Sequence, residues 1–326
     1  LYRIPKNADP RTAILYVTGD GPRDGDFRDI DLLANATRMP VAMLFDVPNQ
    51  PIDGRREDDL IAHSFARYLE TGDDSWPALL PMTRAAVAAM DVLEQETPAR
   101  RFVVTGASKR GWTTWLAGAT GDRRIAGIAP MVFDNLDFRK QLPRQLELWG
   151  KYSAMIEDYT PRGRTLQKIV DPISYRDRLT MPKLGVIGAN DPYWPTDGFS
   201  LYKDALRGPL ALSVTPNAGH DLGPKIPAIQ AIGAFARSLS GKFAFPQPRV
   251  TETFSPEYRL TVRAGRGLVK TRLWIAQSPT TDFRDAKWIP GPESSPGPNF
   301  SFTLPPSDLN RAVYAELVYT LDGTPF

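Results

Sequence analysis

The stretch "VVTGASKRGWTTW", residues 103–115, runs from apolar β-formers through a glycine to a lone serine, two basic residues and a second glycine. The pattern predicts a strand, a tight turn and a helix. Gly106 and Gly111 flank Ser108 as G-x-S-x-x-G, one residue longer than the G-x-S-x-G of a nucleophile elbow. On these residues alone two readings stand side by side. Ser108 is either a nucleophile lifted on a strained turn or a helix N-cap with glycines serving the turn.

The surroundings decide what such a turn belongs to. Apolar runs occur at 12–19, 41–47, 101–106, 125–133, 183–189 and 210–216. Their near-continuous hydrophobicity is that of strands buried on both faces. Segments 29–37, 57–70, 81–95, 109–119 and 224–239 carry apolar residues at three- and four-residue spacing and read as helices. This alternation predicts an α/β fold with a doubly wound, mostly parallel sheet, in which ligands gather beyond the carboxyl ends of the strands. Residues 134–182 form a long insertion, expected as a helical cap; "RKQLPRQLELWGKYSAMIEDY" within it reads as one or two amphipathic helices. From about 245 the strands alternate apolar with polar, as in "EYRLTVRA", "VKTRLWIAQ", "NFSFTLP" and "AVYAELVYTL". The expected division is a catalytic domain at 1–244 and an antiparallel, sandwich-like domain at 245–326.

Partners for Ser108 follow in a telling order. "GVIGANDPYWPTDG" places Asp191 at a strand end, and "SVTPNAGHDLG" places His220 in the loop after the last strand of the sheet. The chain has 2 histidines, and the other, His63, lies inside a helical pattern and reads as a packing or surface residue. Asp197, the competing acid, reads as a loop cap or helix-starting residue. A serine hydroxyl needs an imidazole to take its proton, and the imidazole needs a carboxylate to hold its tautomer. Ser108, Asp191 and His220 are therefore the candidate catalytic residues. Candidate oxyanion donors are the amide of Lys109 and an amide of Asp20 or Gly21 in "TGDGPRDG". Arg110, Trp112, Trp149, Tyr193 and Trp194 are candidate substrate contacts, with Tyr152 beside them on the cap; core packing is the alternative for Trp112.

Composition excludes several classes. The 326 residues carry a net charge of +3 with no basic run, so nucleic acid is not expected as a partner. Cysteine is absent, which removes disulfides, thiolate metal sites and cysteine nucleophiles. No apolar stretch reaches membrane-spanning length. The first residues lack a signal-peptide layout, and a start at Leu1 is read as a processed or trimmed form. The aspartates of "GDGPRDGDFRDID" miss the spacing of a calcium loop, so neither a metal nor any other cofactor is expected.

Several longer motifs bear a family resemblance. "DVPNQPI" (46–52), "REDDLIAHSFARYLETGDDSW" (56–76), "LPMTRAAVAAMD" (80–91), "GASKRGWTTWLA" (106–117), "IVDPISYRDRLTMPKL" (169–184), "PNAGH" (216–220) and "DFRDAKW" (282–288) together resemble the PhoPQ-activated pathogenicity-related protein family. The resemblance implies an α/β-hydrolase fold with a C-terminal β-domain and an exported bacterial protein. It also implies the elbow serine at Ser108, the strand-end acid at Asp191 and the late histidine at His220. In "DVPNQPI", Asn49 and Gln50 join the candidate substrate contacts. The cap before "KIVDPISY" looks shortened, so an open cleft and a bulky or polymeric ester are expected. The leading expectation is a serine hydrolase of carboxylic esters. Alternatives are a serine peptidase of aminopeptidase type, with "REDD" holding a substrate amino terminus, and a carbohydrate esterase resembling glucuronoyl esterases, with Lys109 after the serine. From another class comes a non-catalytic secreted binding or signalling protein on the same fold. Oligomeric state is not readable here.

Overall fold

The computed structural model describes residues 1–326 except 7, 153–159, 242, 255–256, 266, 295–296 and 298. A short strand β1 (Tyr2–Arg3) precedes β2 (Thr12–Val17), helix α1 (Asp26–Thr37) and β3 (Val41–Leu44). Two helices, α2 (Glu57–Thr71) and α3 (Leu79–Glu96), lead to β4 (Arg101–Ala107), α4 (Lys109–Ala119) and β5 (Ile125–Met131). After α5 (Phe138–Trp149) and α6 (Pro161–Val170) come β6 (Lys183–Gly188), α7 (Gly198–Tyr202), β7 (Leu210–Thr215) and α8 (Ile226–Leu239). The strands form one sheet in the order β1-β3-β2-β4-β5-β6-β7. It is parallel throughout except for β1, which runs antiparallel on the edge.

Alternation along the strands sorts side chains to two faces. Leu15, Val17, Phe102 and Val104 join α3, α4 and the inserted helices in one cluster. Ile14, Val103 and Val186 face α1 and α8 in the other. The expected doubly wound sheet is thus present, with all six apolar runs forming β2 to β7. Within the insertion, Phe138, Leu142, Leu166 and Val170 turn the apolar faces of α5 and α6 into the core beside Trp112 and Leu116. The last third of the segment read as cap helix, 153–159, lies outside the described residues.

The C-terminal part holds β8 (Arg249–Thr253), β9 (Tyr258–Arg263), β10 (Leu268–Ser278), β11 (Ile289–Ser294), β12 (Asn299–Leu304), β13 (Asn310–Leu321) and β14 (Thr324–Pro325). They form two antiparallel sheets, β11-β10-β13-β14 and β12-β9-β8. The inward residues of the alternating runs, among them Leu260, Val262, Leu273, Phe300 and Phe302, make their shared core. The strands not foreseen, β1, β8, β11 and β14, are short, exposed or interrupted by proline and glycine, so no periodicity marks them. This part is fastened to the sheet domain by Asp322, whose carboxylate meets Arg237 at 2.5 Å and Arg38 at 2.9 Å.

Glycine is needed where α4 leaves β4. A Cβ on Gly111 would stand 2.5 Å from the Met131 carbonyl oxygen on β5, a backbone atom that cannot yield cheaply. Gly111→Ala is expected to cost about 1–3 kcal/mol in urea unfolding. Gly25→Ala, where a Cβ meets nothing within 4 Å, is the control and should not destabilise.

Candidate active site

Ser108 sits between β4 and α4 with φ 56° and ψ −121°. A non-glycine residue held there costs about 1–3 kcal/mol, which the surroundings must supply. They do so through close packing: the Ser108 amide donates to Met131 O at 2.9 Å, and Gly106 lies where a Cβ would be 2.8 Å from Val17 O. Ser108 occupies the N-cap position of α4, yet its hydroxyl makes no cap bond. Instead Oγ lies 2.8 Å from His220 Nε2. His220 Nδ1 lies 2.8 Å from Asp191 Oδ2. The other Asp191 oxygen, Oδ1, accepts from the Tyr193 amide at 3.0 Å, so the carboxylate is held at both ends and is 5% exposed.

The loops carrying Asp191 and His220 are pressed together. A Cβ on Gly188 would sit 2.2 Å from Gly219 O, and the amides of Ala189 and Asn190 donate to Thr215 O and Ala218 O, both at 2.9 Å. Both loops also lean on the C-terminal part, through residues of "DFRDAKW". Asn190 Nδ2 donates to the carbonyls of Phe283, Arg284 and Ala286 at 3.1, 3.0 and 2.8 Å. Asn217 exchanges two bonds with the Trp288 backbone, at 2.9 and 2.8 Å. Sequence reasoning missed this brace, although the motif was visible, because no spacing rule links 190 and 217 to 283–288.

The +2 position after the serine, glycine in G-x-S-x-G, is Arg110 here. Its buried guanidinium meets Glu57 at 2.5 and 2.9 Å and Val47 O at 2.5 Å. Room for it exists because Gly19, in the loop after β2, has no side chain; a Cβ there would lie 2.0 Å from the Arg110 Cζ. Gln50 closes the network, donating to Gly19 O at 2.6 Å and to Glu57, and accepting from the Glu57 amide at 2.8 Å. Lys109 Nζ adds contacts to Glu57 at 3.2 Å and Asp58 at 3.0 Å. Burial alone would raise the Glu57 carboxyl, but hydrogen bonds from Arg110 and Gln50, with the charges of Arg110 and Lys109, hold it at about 2.

Placement of the remaining candidates varies. The Tyr193 and Trp194 rings flank His220, at 4.6 and 6.5 Å between centroids. Lys109 has its amide at the first position of α4, where no intrahelical acceptor exists. Asp20 and Gly21 follow β2, which pairs with β4 up to Gly106 beside the elbow; the Asp20 amide points to Thr18 Oγ1 at 3.4 Å. Five of the expected substrate contacts, Arg110, Gln50, Trp112, Trp149 and Asn49, have other surroundings. Arg110 and Gln50 are buried in the network around Glu57, with their polar ends turned to protein. Trp112 is 4% exposed, stacked on Phe133 at 5.0 Å and bonded to Val170 O, and so belongs to the core. Trp149 lies under the Arg284 guanidinium at 4.3 Å, in a cation–π contact with the C-terminal part. Asn49 is an exposed turn residue with φ 78° whose amide turns back to Asp46 O. His63 packs edge-on against Trp76, and Asp197 stands at the N-cap position of α7 with its carboxylate on Arg144 at 3.0 Å.

One acid escaped sequence reasoning. Asp134, just after β5, is buried with its carboxyl 2.5 Å from the Tyr202 hydroxyl. Burial pushes it up to about 7 against the hydrogen bond from Tyr202, and the charge of Asp191 adds to the rise. Among the described residues no three His, Cys, Asp or Glu gather to hold a metal, and no helix is long and apolar enough to cross a membrane.

Strand order and the elbow after β4 define the class as an α/β-hydrolase fold. Acetyl xylan esterase from Paenibacillus sp. R4 superposes with a TM-score of 0.52 over 73% of this chain and 78% of its own, at 16% identity. Est1E from Butyrivibrio proteoclasticus gives 0.49 over 74% and 93%, at 14% identity. The chain belongs to the PhoPQ-activated pathogenicity-related protein family, whose model matches residues 2–284. Autocrine proliferation repressor protein A of Dictyostelium discoideum is 34% identical over 328 positions covering 88% of this chain, and the match spans 65% of that protein's length.

The Glu57 network gives a pH signature. A carboxyl at about 2 when folded and near 4.5 when unfolded contributes fully above pH 4.5 and loses that contribution as pH falls toward 2. Glu57→Gln should therefore be less stable than the parent at pH 7, with the gap in urea midpoint narrowing between pH 4.5 and 2. A gap of constant size would show that the carboxylate charge is not what holds Arg110.

Proposed function

We propose that the chain is a serine hydrolase that cleaves a carboxylic ester through an acyl-enzyme. The observation carrying this reading is the pair of 2.8 Å contacts joining Ser108 Oγ, the His220 ring and Asp191. In the proposed cycle His220 Nε2 takes the Ser108 proton as Oγ attacks the carbonyl carbon. The imidazolium, held by Asp191, returns that proton to the departing alkoxide. Water then attacks the acyl-Ser108 ester, giving its proton to His220, and the carboxylic acid leaves as Oγ recovers a proton. The developing oxyanion is assigned to the Lys109 amide and an amide of Asp20 or Gly21.

The charged neighbours favour an uncharged ester. Lys109 is engaged by Glu57 and Asp58, and Arg110 is buried against Glu57, which leaves neither cation open to a uronate carboxylate. The same pairs occupy Glu57 and Asp58 of "REDD", which argues against an anchor for a peptide amino terminus. Tyr193 is 46% exposed beside His220, which supports access for a bulky or polymeric substrate. Export is part of this proposal; the Dictyostelium relative's name, an autocrine repressor of proliferation, supports it and keeps a signalling role as the second reading.

Hydrolysis of p-nitrophenyl esters should fall about 10⁴-fold or more in Ser108→Ala, and a serine-directed phosphonate should label only the parent. Equal rates and no labelling would give the signalling reading the lead. Asn217→Ala, which frees the His220 loop from Trp288, should lower kcat about 10- to 100-fold with KM little changed, because misplacement by an ångström is enough. An unchanged kcat would mean that the brace is not what positions His220.

A further inference from the structure

Gln50, in the motif "DVPNQPI", is 6% exposed and uses both ends of its side-chain amide. Its Oε1 accepts from the Glu57 amide at 2.8 Å, so Nε2 is the end that faces Gly19 O, at 2.6 Å, and the Glu57 carboxylate. A glutamine bonded in this way cannot turn over.

What Gln50 holds is the loop after β2. Thr18 O accepts from the Val47 amide at 3.1 Å, Gly19 O from Gln50, and Asp20 O from the Asp46 amide at 3.1 Å. Three carbonyls in a row are thus taken by the segment after β3. In a trans peptide the following N–H points opposite to the carbonyl, so the amides of Gly19, Asp20 and Gly21 turn away from that segment. Since β2 lies between β3 and β4, away from β3 means toward the elbow that carries Ser108. Successive N–H groups turned one way form a seat for an anion. Of the three peptides, only the middle one, Gly19–Asp20, is held by a side chain. Its N–H has among the described residues just Thr18 Oγ1, at 3.4 Å, a long contact that a stronger acceptor displaces.

We propose that Gln50 is a positioning residue: by fixing the Gly19–Asp20 peptide it aims the Asp20 N–H at the oxygen that receives the carbonyl electron pair when Ser108 attacks. The proposal rests on the acyl-enzyme reading above and narrows its second oxyanion donor to Asp20. The electron pair returns to re-form the carbonyl as the alkoxide leaves, and Gln50 itself neither gains nor loses a proton.

The test compares p-nitrophenyl acetate with p-nitrophenyl thionoacetate, in which sulfur replaces the carbonyl oxygen. Sulfur is a weak acceptor, so the thionoester gains little from a well-placed N–H. In Gln50→Met, of similar length without the amide, kcat on the ester should fall about 10- to 100-fold with KM little changed, the effect of a donor misplaced but not removed. The thionoester should lose much less, so the ester-to-thionoester ratio of kcat/KM should drop about 5-fold or more. A merely structural role, in which the site loosens as a whole, would lower both substrates alike and leave the ratio where it was. Gln50→Asn, which keeps the amide but draws it back by one methylene, should fall between the parent and Gln50→Met, and carries the test alone should Gln50→Met not fold. An unchanged kcat on the ester, or an unchanged ratio, in a folded variant overturns the proposal. Phosphonate labelling of the parent separates the two readings. A labelled, active parent with an unchanged ratio in the variants sinks only the role of Gln50, whereas an unlabelled, inactive parent sinks the acyl-enzyme reading and this inference with it.

Discussion

The left-handed backbone at Ser108 is the constraint on which the rest of the molecule is arranged. An ordinary residue does not rest at φ 56° and ψ −121° unless its neighbours leave no alternative. Here β2, β4 and β5 come so close around the turn that only glycine fits at 106 and 111, and the serine amide is already given to Met131. The same turn aims Oγ outward, past the carboxyl ends of the strands, where the loops after β6 and β7 bring Asp191 and His220. Geometry at the hydroxyl is thus inherited from the packing of a buried sheet.

Arg110 shows how a motif can shift without loss of the turn. With arginine at the position where the shorter pattern has glycine, the space it needs is found at Gly19 across the β2–β4 pair. A buried guanidinium is costly without partners, and Glu57, Gln50 and the Val47 carbonyl provide them. The loop after β2 is thereby tied to the first turn of α4, the two places from which oxyanion donors are expected. A surface that reads as charged in the sequence is spent internally, and the surroundings of His220 are left with the aromatic rings of Tyr193 and Trp194.

The sheet, its helices and the alternating C-terminal strands were legible because burial imposes a period on the residues that make them. Ser108, Asp191 and His220 were legible because chain order and strand ends fix where such groups fall. Side-chain direction was not. Trp112 carries the same letters whether it lines a pocket or stacks on Phe133, and Arg110 the same whether it meets solvent or Glu57. Asp134 was passed over since an aspartate after a strand carries no local mark of burial. The contacts of Asn190 and Asn217 with 283–288 join residues 71 to 96 positions apart, beyond any local pattern.

Those contacts also give the molecule an order in time. A chain made from its amino terminus has the large sheet, Ser108, Asp191 and His220 in hand before residues 283–288 exist. The carbonyls that hold Asn190, and the tryptophan backbone that holds Asn217, arrive only more than sixty residues after His220. Until then the acid and histidine loops have each other but no external support. Residues 283–288 thus act as a closing step, and a chain stopped short of them would carry Ser108, Asp191 and His220 without the carbonyls that brace the last two loops.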